Sequence, residues 1–151
     1  MNIRYEFEVH ASARFLFELT QDYSRRPAWD PLTRQATLLN AERPSKGALL
    51  RYTASNGLTM DTEYVSYKPF EVAAFKMVAG PRFFDRFAGG WQFKALGPNH
   101  TRVLFSYIIT TKPRWLSWLL TPIVVVGFKR ETRKRIRALI QYAEQNASAA
   151  S

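Results

Sequence analysis

The sequence predicts a single α+β domain in which a run of antiparallel strands is followed by a long C-terminal helix. Its 151 residues fit one domain with a sizeable core. Residues 34–112 alternate strand-like runs with short turn signals, a pattern typical of antiparallel neighbours. A segment with helical periodicity then continues to about Gln145. We expect residues 1–146 to form the domain and residues 147–151 to be a disordered tail.

The N-terminal region predicts a strand and two short helical segments. IRYEFEVH, residues 3–10, alternates apolar and charged side chains, as a half-buried strand does. Ser12 is a suitable N-cap for a helix in ARFLFELTQD, and the prolines of YSRRPAWDPL end that helix. A second short helix or turn should therefore carry Trp29.

The middle of the chain predicts six strands joined by short connections. The pair Asn56-Gly57 is the strongest hairpin signal, because both residues tolerate a positive φ. The pair Gly89-Gly90 interrupts a strand-like run and indicates a bulge or a sharp bend. We therefore expect a sheet that curls.

The C-terminal region predicts a helix that is apolar first and basic later. The uncharged run 115–128 is shorter than the roughly 20 residues of a membrane span. Thr121 and Pro122 fit the N-cap and first position of a helix. From Val125 to Ala143 one apolar stripe follows helical spacing. The apolar residues before it need a cover, and we interpret that segment as a lid over a cavity.

Charge and composition limit the classes of partner that the protein is expected to bind. The net charge is +10, and residues 129–137 hold six basic residues against one acidic residue. Such a run is either a solvated helix face or a contact for an anionic membrane, whereas the lack of interleaved aromatics disfavours nucleic acid. The N-terminus lacks a continuous apolar signal region, so we expect a cytoplasmic protein, membrane-associated if this surface binds lipid. The residues of this candidate membrane or anion surface are Trp115, Trp118, Lys129, Arg130, Arg133, Lys134 and Arg137.

Three stretches carry a family resemblance. FEVHASARFLFELTQDYSRRPAWDP, TEYVSYKPF and GGWQFKALGPNHTRVLFSYII resemble, in order and spacing, motifs of the START-like SRPBCC superfamily, in particular its polyketide cyclase/dehydrase and lipid-transport branch. This resemblance covers nearly the whole chain. It implies the helix-grip (Bet v 1/START-like) fold: a seven-stranded curved antiparallel sheet around the C-terminal helix, two short helices after the first strand, and a hydrophobic cavity between sheet and helix.

The resemblance also implies which strand faces point into the cavity, although each named aromatic could equally be a core residue. The facing of residues 60–67 stays open. The candidate ligand-binding residues are Trp29, Leu50, Tyr52, Phe75, Met77, Phe83, Phe87, Trp91, Phe93, Phe105, Tyr107, Leu119, Val125 and Phe128.

Chemistry has few candidates in the sequence. The chain has no Cys, and its two His lack an obvious partner, so we expect neither a metal site nor a cofactor. We favour a protein that binds or carries a hydrophobic small molecule such as a lipid, an isoprenoid or a polyketide-like compound. A cyclase or aromatase-type enzyme, with Arg82, Asp85 and Tyr107 as catalytic candidates, is the alternative, and a membrane-interaction module is a second one. The sequence gives no indication of oligomeric state.

Overall fold

The computed structural model describes residues 2–150, with side chains described from residue 2 to residue 147. The elements in chain order are β1 (Asn2–Val9), α1 (Ala13–Gln21), α2 (Arg26–Trp29), β2 (Thr33–Leu38), β3 (Leu49–Ala54), β4 (Thr59–Lys68), β5 (Val72–Ala79), β6 (Phe84–Gly97), β7 (His100–Thr111), a 3-10 turn (Arg114–Leu116) and α3 (Ser117–Ala150).

The strands form one seven-stranded antiparallel sheet in the order β1-β7-β6-β5-β4-β3-β2. The chain enters the sheet at β1, leaves it for α1 and α2, and re-enters at the opposite edge. Alternate residues of β7, from Thr101 to Thr111, are buried, so one face of the curled sheet is the inner face. This confirms the predicted α+β architecture with its long C-terminal helix.

The sequence signals at the N-terminus act as predicted. In β1 the apolar positions Ile3 and Val9 are buried while the charged positions between them are exposed. At the start of α1 the Ser12 hydroxyl accepts a hydrogen bond of 3.0 Å from the backbone N–H of Phe15. The predicted second short helix is α2, which ends at Trp29.

The two glycine signals have different outcomes. Gly57 adopts a φ of +93° in the β3–β4 turn, as the hairpin prediction requires. Gly89 and Gly90 pair in register with β5 and β7, and the irregularities of β6 lie elsewhere. The predicted bulge is therefore wrong there, while the alternative of a sharp bend stays a prediction. The role of the two glycines is close approach: a Cβ on Gly89 would lie 2.6 Å from the carbonyl oxygen of Ser106.

Helix α3 begins earlier than the sequence predicts. It starts at Ser117, directly after the 3-10 turn, and Pro122 lies inside it. The Thr121 hydroxyl does not cap the helix, because it hydrogen-bonds the hydroxyl of Thr111 on β7 at 2.8 Å. The apolar residues before Pro122 are thus part of the same helix.

The predicted apolar stripe of α3 packs on the sheet, with Val125, Leu139 and Ala143 in the main core. Most of the segment that we interpreted as a lid instead faces outward, since Trp115, Trp118 and Val126 are exposed. Within residues 2–150, no helix combines the length and the apolar composition of a membrane span. The helical backbone is described to Ala150, and the predicted tail at 147–151 falls mostly beyond the described side chains and stays a prediction.

Candidate functional site

A cavity of about 800 Å³ lies between the inner face of the sheet and α3. Residues of β3, β4, β5, β6 and β7 form its walls on the sheet side, and α3 closes the other side. Its lining is mainly apolar and aromatic: Pro31, Leu32, Leu50, Tyr52, Ala54, Leu58, Met60, Tyr64, Phe75, Pro81, Phe83, Phe84, Phe87, Trp91, Tyr107, Ile123, Val124 and Phe128. A cavity of this size and character suits a hydrophobic small molecule.

The register of the strands explains which side chains line the cavity. Phe87, Trp91 and Tyr107 project from the inner faces of β6 and β7, and Gly89, opposite Tyr107, leaves room for its ring. On β4 the inner set is Met60, Thr62 and Tyr64, which settles the alternation that the sequence left open.

The cavity is partly open to solvent. Exposed lining residues come from the β3–β4 turn, from the β5–β6 connection and from α3, and include Leu58, Phe83, Ile123 and Arg130. We name these exposed segments of the lining the mouth of the cavity.

A buried ionic cluster contributes Arg26 and Arg135 to the cavity lining. Arg26 donates from Nε to Oδ2 of Asp30 at 2.7 Å, and Nε of Arg135 lies 2.9 Å from the same oxygen. Asp30 is held further by Thr33, whose hydroxyl donates to Oδ2 at 2.8 Å, and by the N–H of Leu32, which donates to Oδ1 at 3.0 Å. One carboxylate therefore serves two guanidinium groups.

Arg135 also contacts two phenols of the cavity wall. Its Nη2 donates to the Tyr52 hydroxyl at 2.8 Å, and its Nη1 donates to the Tyr107 hydroxyl at 3.3 Å. Tyr107 accepts a second hydrogen bond from Thr132 at 3.0 Å. Within residues 2–147, Tyr107 is described only as an acceptor in these two hydrogen bonds. The hydroxyl proton of Tyr107 and the remaining Arg135 N–H groups are donors at the cavity wall.

The cluster carries a net positive charge. Arg26, Asp30 and Arg135 are the only buried charged residues in the part of the chain whose side chains are described, which gives two positive charges and one negative charge. Burial raises the pKa of Asp30, but the charges of Arg135 and Arg26 outweigh it and hold this pKa well below its usual range. Burial lowers the pKa of Arg135, yet its partners raise it above the ordinary value. Both groups are therefore ionised at neutral pH.

A second polar group lies on another part of the wall. The Tyr64 hydroxyl donates to Oε1 of Gln21 at 2.6 Å and also contacts the Tyr23 hydroxyl. Burial raises the pKa of Tyr23 well above its usual range, so the phenol stays protonated at neutral pH. These groups satisfy one another and leave this part of the wall uncharged.

The structure brings eight of the predicted ligand-binding residues together around the cavity. They are Leu50, Tyr52, Phe75, Phe83, Phe87, Trp91, Tyr107 and Phe128.

Six predicted ligand-binding residues lie elsewhere. Phe93 and Phe105 are core residues, and the ring of Phe93 packs 5.7 Å from that of Phe17 on α1. Val125 is also in the core, and Met77 packs at its edge. Trp29 is buried beneath the Arg26 guanidinium, 4.9 Å from its ring centre, and Leu119 faces outward with 45% of its surface exposed. An inward-facing position on a strand is thus not enough for a residue to line the cavity, because α1 covers part of the inner face of the sheet.

The three predicted catalytic residues lie in different parts of the structure. Tyr107 lies in the cavity wall beside Arg135. Arg82 and Asp85 are exposed and do not line the cavity, because they lie on the β5–β6 connection and the outward-facing start of β6. Of the three, only Tyr107 is positioned to contact a bound molecule.

The candidate surface residues of α3 are all exposed. Lys134 pairs with Glu131 at 3.4 Å, whereas no ion pair is described for Lys129, Arg130 or Arg133 among residues 2–147. Arg130 additionally reaches the cavity mouth. The exposed tryptophans, Trp115 and Trp118, lie on the N-terminal side of this basic run.

Sequence reasoning missed the ionic cluster. We counted Arg135 within the basic run, although it lies three residues after Thr132 and four before Leu139, on the buried face of α3. Helical spacing alone could have separated it from Arg133 and Lys134. Asp30 carries no comparable signal, since an Asp beside a proline is an ordinary turn residue.

The comparison with protein families agrees with this geometry. A family model described as polyketide cyclase/dehydrase and lipid transport matches residues 1–144. The chain belongs to this family.

Solved structures place this polyketide cyclase/dehydrase and lipid-transport family member among helix-grip proteins. The Zhui aromatase/cyclase from Streptomyces sp. R1128 superposes with a TM-score of 0.81 at 16% identity, covering 100% of this chain and 98% of the other. A START superfamily protein from Mycobacterium smegmatis gives 0.77 at 21% identity, covering 95% and 97%. Ginseng major latex-like protein 151 from Panax ginseng gives 0.75 at 14% identity, covering 95% and 97%. No curated protein matches the chain. At these identities the likeness supports the fold alone.

Proposed function

We propose that this protein binds or carries a hydrophobic small molecule, without a catalysed reaction, in the cavity between its sheet and α3. The observation that carries the proposal is the largely aromatic and aliphatic lining of a cavity of about 800 Å³. Binding there removes apolar area of the ligand from water, which is worth roughly 25 cal/mol per Å². Membership of a ligand-binding family and fold supports the same reading.

The ionic cluster supports an oriented ligand with an electron-rich oxygen at one end. Tyr107 and Arg135 present donors at the cavity wall, and the buried cluster has one net positive charge. A carboxylate, phenolate or polarised carbonyl oxygen would accept from both groups and reduce that charge. The apolar remainder of the molecule would lie against Phe75, Phe87 and Phe128 toward the mouth.

Gly127 offers a direct test, because it lines the cavity and a Cβ built on it meets no atom within 4 Å. We expect Gly127→Leu to place a side chain in the cavity and to weaken binding of an apolar fluorophore such as anilinonaphthalene sulfonate by tenfold or more. Gly127→Ala is the matched control, since it makes the same backbone change with little added volume. Native mass spectrometry of the purified protein, with extraction of any retained molecule, identifies the ligand class.

Equal binding of the fluorophore by wild type and Gly127→Leu would contradict the proposal. Trp115→Ala/Trp118→Ala should bind the probe as wild type does, because neither tryptophan lines the cavity. Loss of binding in that variant would place the probe on the outer surface and refute the cavity site.

A second candidate is a cyclase or aromatase-type reaction, favoured by the contact between Arg135 and Tyr107. In that case the guanidinium would stabilise an enolate oxygen, and the phenol would deliver or receive a proton within hydrogen-bond reach. Burial raises the pKa of Tyr107, so the phenol is protonated at neutral pH and can donate. Turnover of a poly-β-ketone substrate that Tyr107→Phe abolishes, with fluorophore binding retained, would establish this activity. Turnover that survives Tyr107→Phe would refute that role.

A further inference from the structure

The N-terminal half of α3 and the turn before it expose an unusually apolar surface. Five large side chains, which we name the apolar face, are strongly exposed: Trp115 (76%), Trp118 (74%), Leu119 (45%), Ile123 (63%) and Val126 (68%). Exposed tryptophans are costly in water unless a partner covers them, and contiguous exposed apolar residues mark interaction sites. The cavity does not account for this surface, because only Ile123 of the five lines it.

A basic surface continues from the apolar face along the same side of α3. Four exposed cations, which we name the basic face, follow Val126: Lys129, Arg130, Arg133 and Arg137. At 100° per residue they project within the sector that extends from Trp118 through Val126 to Ile123. Each of the two surfaces extends for about 12 Å along the helix, at 1.5 Å per residue. One side of α3 therefore changes from apolar to cationic along its length.

The charges of the basic face are free to act on a partner. Among residues 2–147, none of the four forms a described ion pair, whereas the nearby Lys134 is paired with Glu131. The flanking Lys112 and Arg114 add two exposed cations at the other end of the apolar face. The apolar face is thus bordered by positive charge at both ends.

We propose that the apolar and basic faces of α3 dock on an anionic lipid bilayer. The tryptophans and aliphatic side chains would enter the interfacial region, where Trp is the preferred residue, and the cations would contact the headgroup phosphates. The arrangement is that of an interfacial helix, with apolar side chains and cations directed to the same surface.

The charge distribution favours a bilayer over a second copy of this chain. An isologous dimer through α3 would bring an equal set of unpaired cations into the same contact, where like charges repel. An anionic bilayer instead offers hydrocarbon to the apolar face and negative charge to the basic face. Nucleic acid would meet the basic face but would leave the apolar face uncovered.

Docking would bring the cavity mouth to the membrane. Ile123 belongs both to the apolar face and to the cavity lining, and Arg130 belongs both to the basic face and to the lining. Leu58 and Phe83, which also belong to the mouth, are exposed apolar residues as well. A hydrophobic ligand could then pass between bilayer and cavity with little exposure to water. This exchange route rests on the proposed function, whereas the docking itself does not.

Vesicle sedimentation tests the docking, with vesicles of mixed phosphatidylglycerol and phosphatidylcholine against pure phosphatidylcholine. Each cation near an anionic surface is worth about 1 kcal/mol, so Lys129→Gln/Arg133→Gln should lower the partition coefficient by about 30-fold. The matched control, Lys76→Gln/Lys94→Gln, removes the same charge from exposed strand positions and should bind as wild type does. Trp115→Ala/Trp118→Ala should lower partition by about tenfold or more, since two large apolar surfaces no longer insert.

Tryptophan emission gives an independent readout. Trp29 and Trp91 are 5% and 3% exposed, so a blue shift on adding mixed vesicles reports Trp115 and Trp118. If Lys76→Gln/Lys94→Gln lowered the partition coefficient as much as Lys129→Gln/Arg133→Gln did, vesicle binding would depend only on the net charge of the protein. That result would overturn the proposal. Vesicle binding that is independent of anionic lipid content and of salt concentration would overturn it as well. A blue shift that increases with protein concentration in the absence of vesicles would overturn it in favour of a dimer.

Discussion

Asp30 is the residue on which the ionic cluster of the cavity wall depends, and Asp30→Asn tests that dependence. In the folded protein Asp30 is 1% exposed and faces Arg26 and Arg135. The substitution changes the charge of the cluster from one net positive charge to two. It also replaces one carboxylate oxygen by an NH₂ group, which must then face either the N–H of Leu32 or the donors of Arg26 and Thr33. At least one buried donor therefore loses its acceptor.

The expected cost follows from these two changes. Removing one partner of a buried ion pair destabilises a protein by about 3–5 kcal/mol, because the remaining charge is uncompensated. A domain of this kind has only about 5–15 kcal/mol of unfolding free energy, so Asp30→Asn should remove a large fraction of it. Urea unfolding followed by circular dichroism measures the change as a shift of the midpoint at constant slope.

Arg135→Met is the matched comparison, because it removes a positive charge from the same cluster, whereas Asp30→Asn removes the negative charge. It leaves Arg26 and Asp30 as a balanced pair, while Tyr52 keeps its hydrogen bond to the Leu32 carbonyl and Tyr107 keeps the one from Thr132. We expect a cost of about 1–3 kcal/mol, smaller than that of Asp30→Asn. If Arg135→Met destabilised the protein as much as Asp30→Asn did, net charge would not control the stability of this cluster, and the reasoning would be refuted.

Two further predictions concern acid stability and α3. Because the cluster holds the folded-state pKa of Asp30 below its unfolded value of about 4, its stabilisation is complete above that pH and is lost as the pH falls toward the folded pKa. The unfolding free energy of the wild type should therefore fall more steeply below about pH 4 than that of Asp30→Asn, and parallel curves in urea titrations would contradict this. Gly127→Ala should raise the free energy of unfolding by up to about 1 kcal/mol, because Gly127 is in a helix with open space around its Cα; a lowered urea midpoint would argue against it.

Most of the fold was predictable because its signals are local and repeated. The alternation in β1, the N-cap at Ser12 and the hairpin glycine Gly57 each act within a few residues, and each behaves as the sequence predicts. The start of α3 was mispredicted because Pro122 fits a helix terminus locally, while the contact between Thr121 and Thr111 spans two elements. A contact with a distant strand leaves no mark in the local pattern.

The sequence predicted which face of the strands points inward, but not which of the inward-facing residues line the cavity. Strand alternation assigns Trp91, Phe93, Phe105 and Tyr107 to one face, and the structure has all four buried. Which of them meet the cavity depends on where α1 covers the sheet, and this position follows from tertiary packing. Phe93 meets α1 through Phe17, whereas Trp91 faces the cavity.

Helical geometry divides the basic run of α3 into parts with opposite roles. Arg133 and Arg135 are two residues apart, which is about 200° around a helix, so one is exposed and the other is buried against Tyr52 and Asp30. Neighbours in the sequence therefore take part in different proposed sites: Arg133 in the membrane surface and Arg135 in the ligand cavity. Substitution of Arg133 should affect vesicle binding and leave the cavity unchanged, while substitution of Arg135 should do the reverse. A shared effect of the two would mean that docking and ligand binding are coupled through α3 itself.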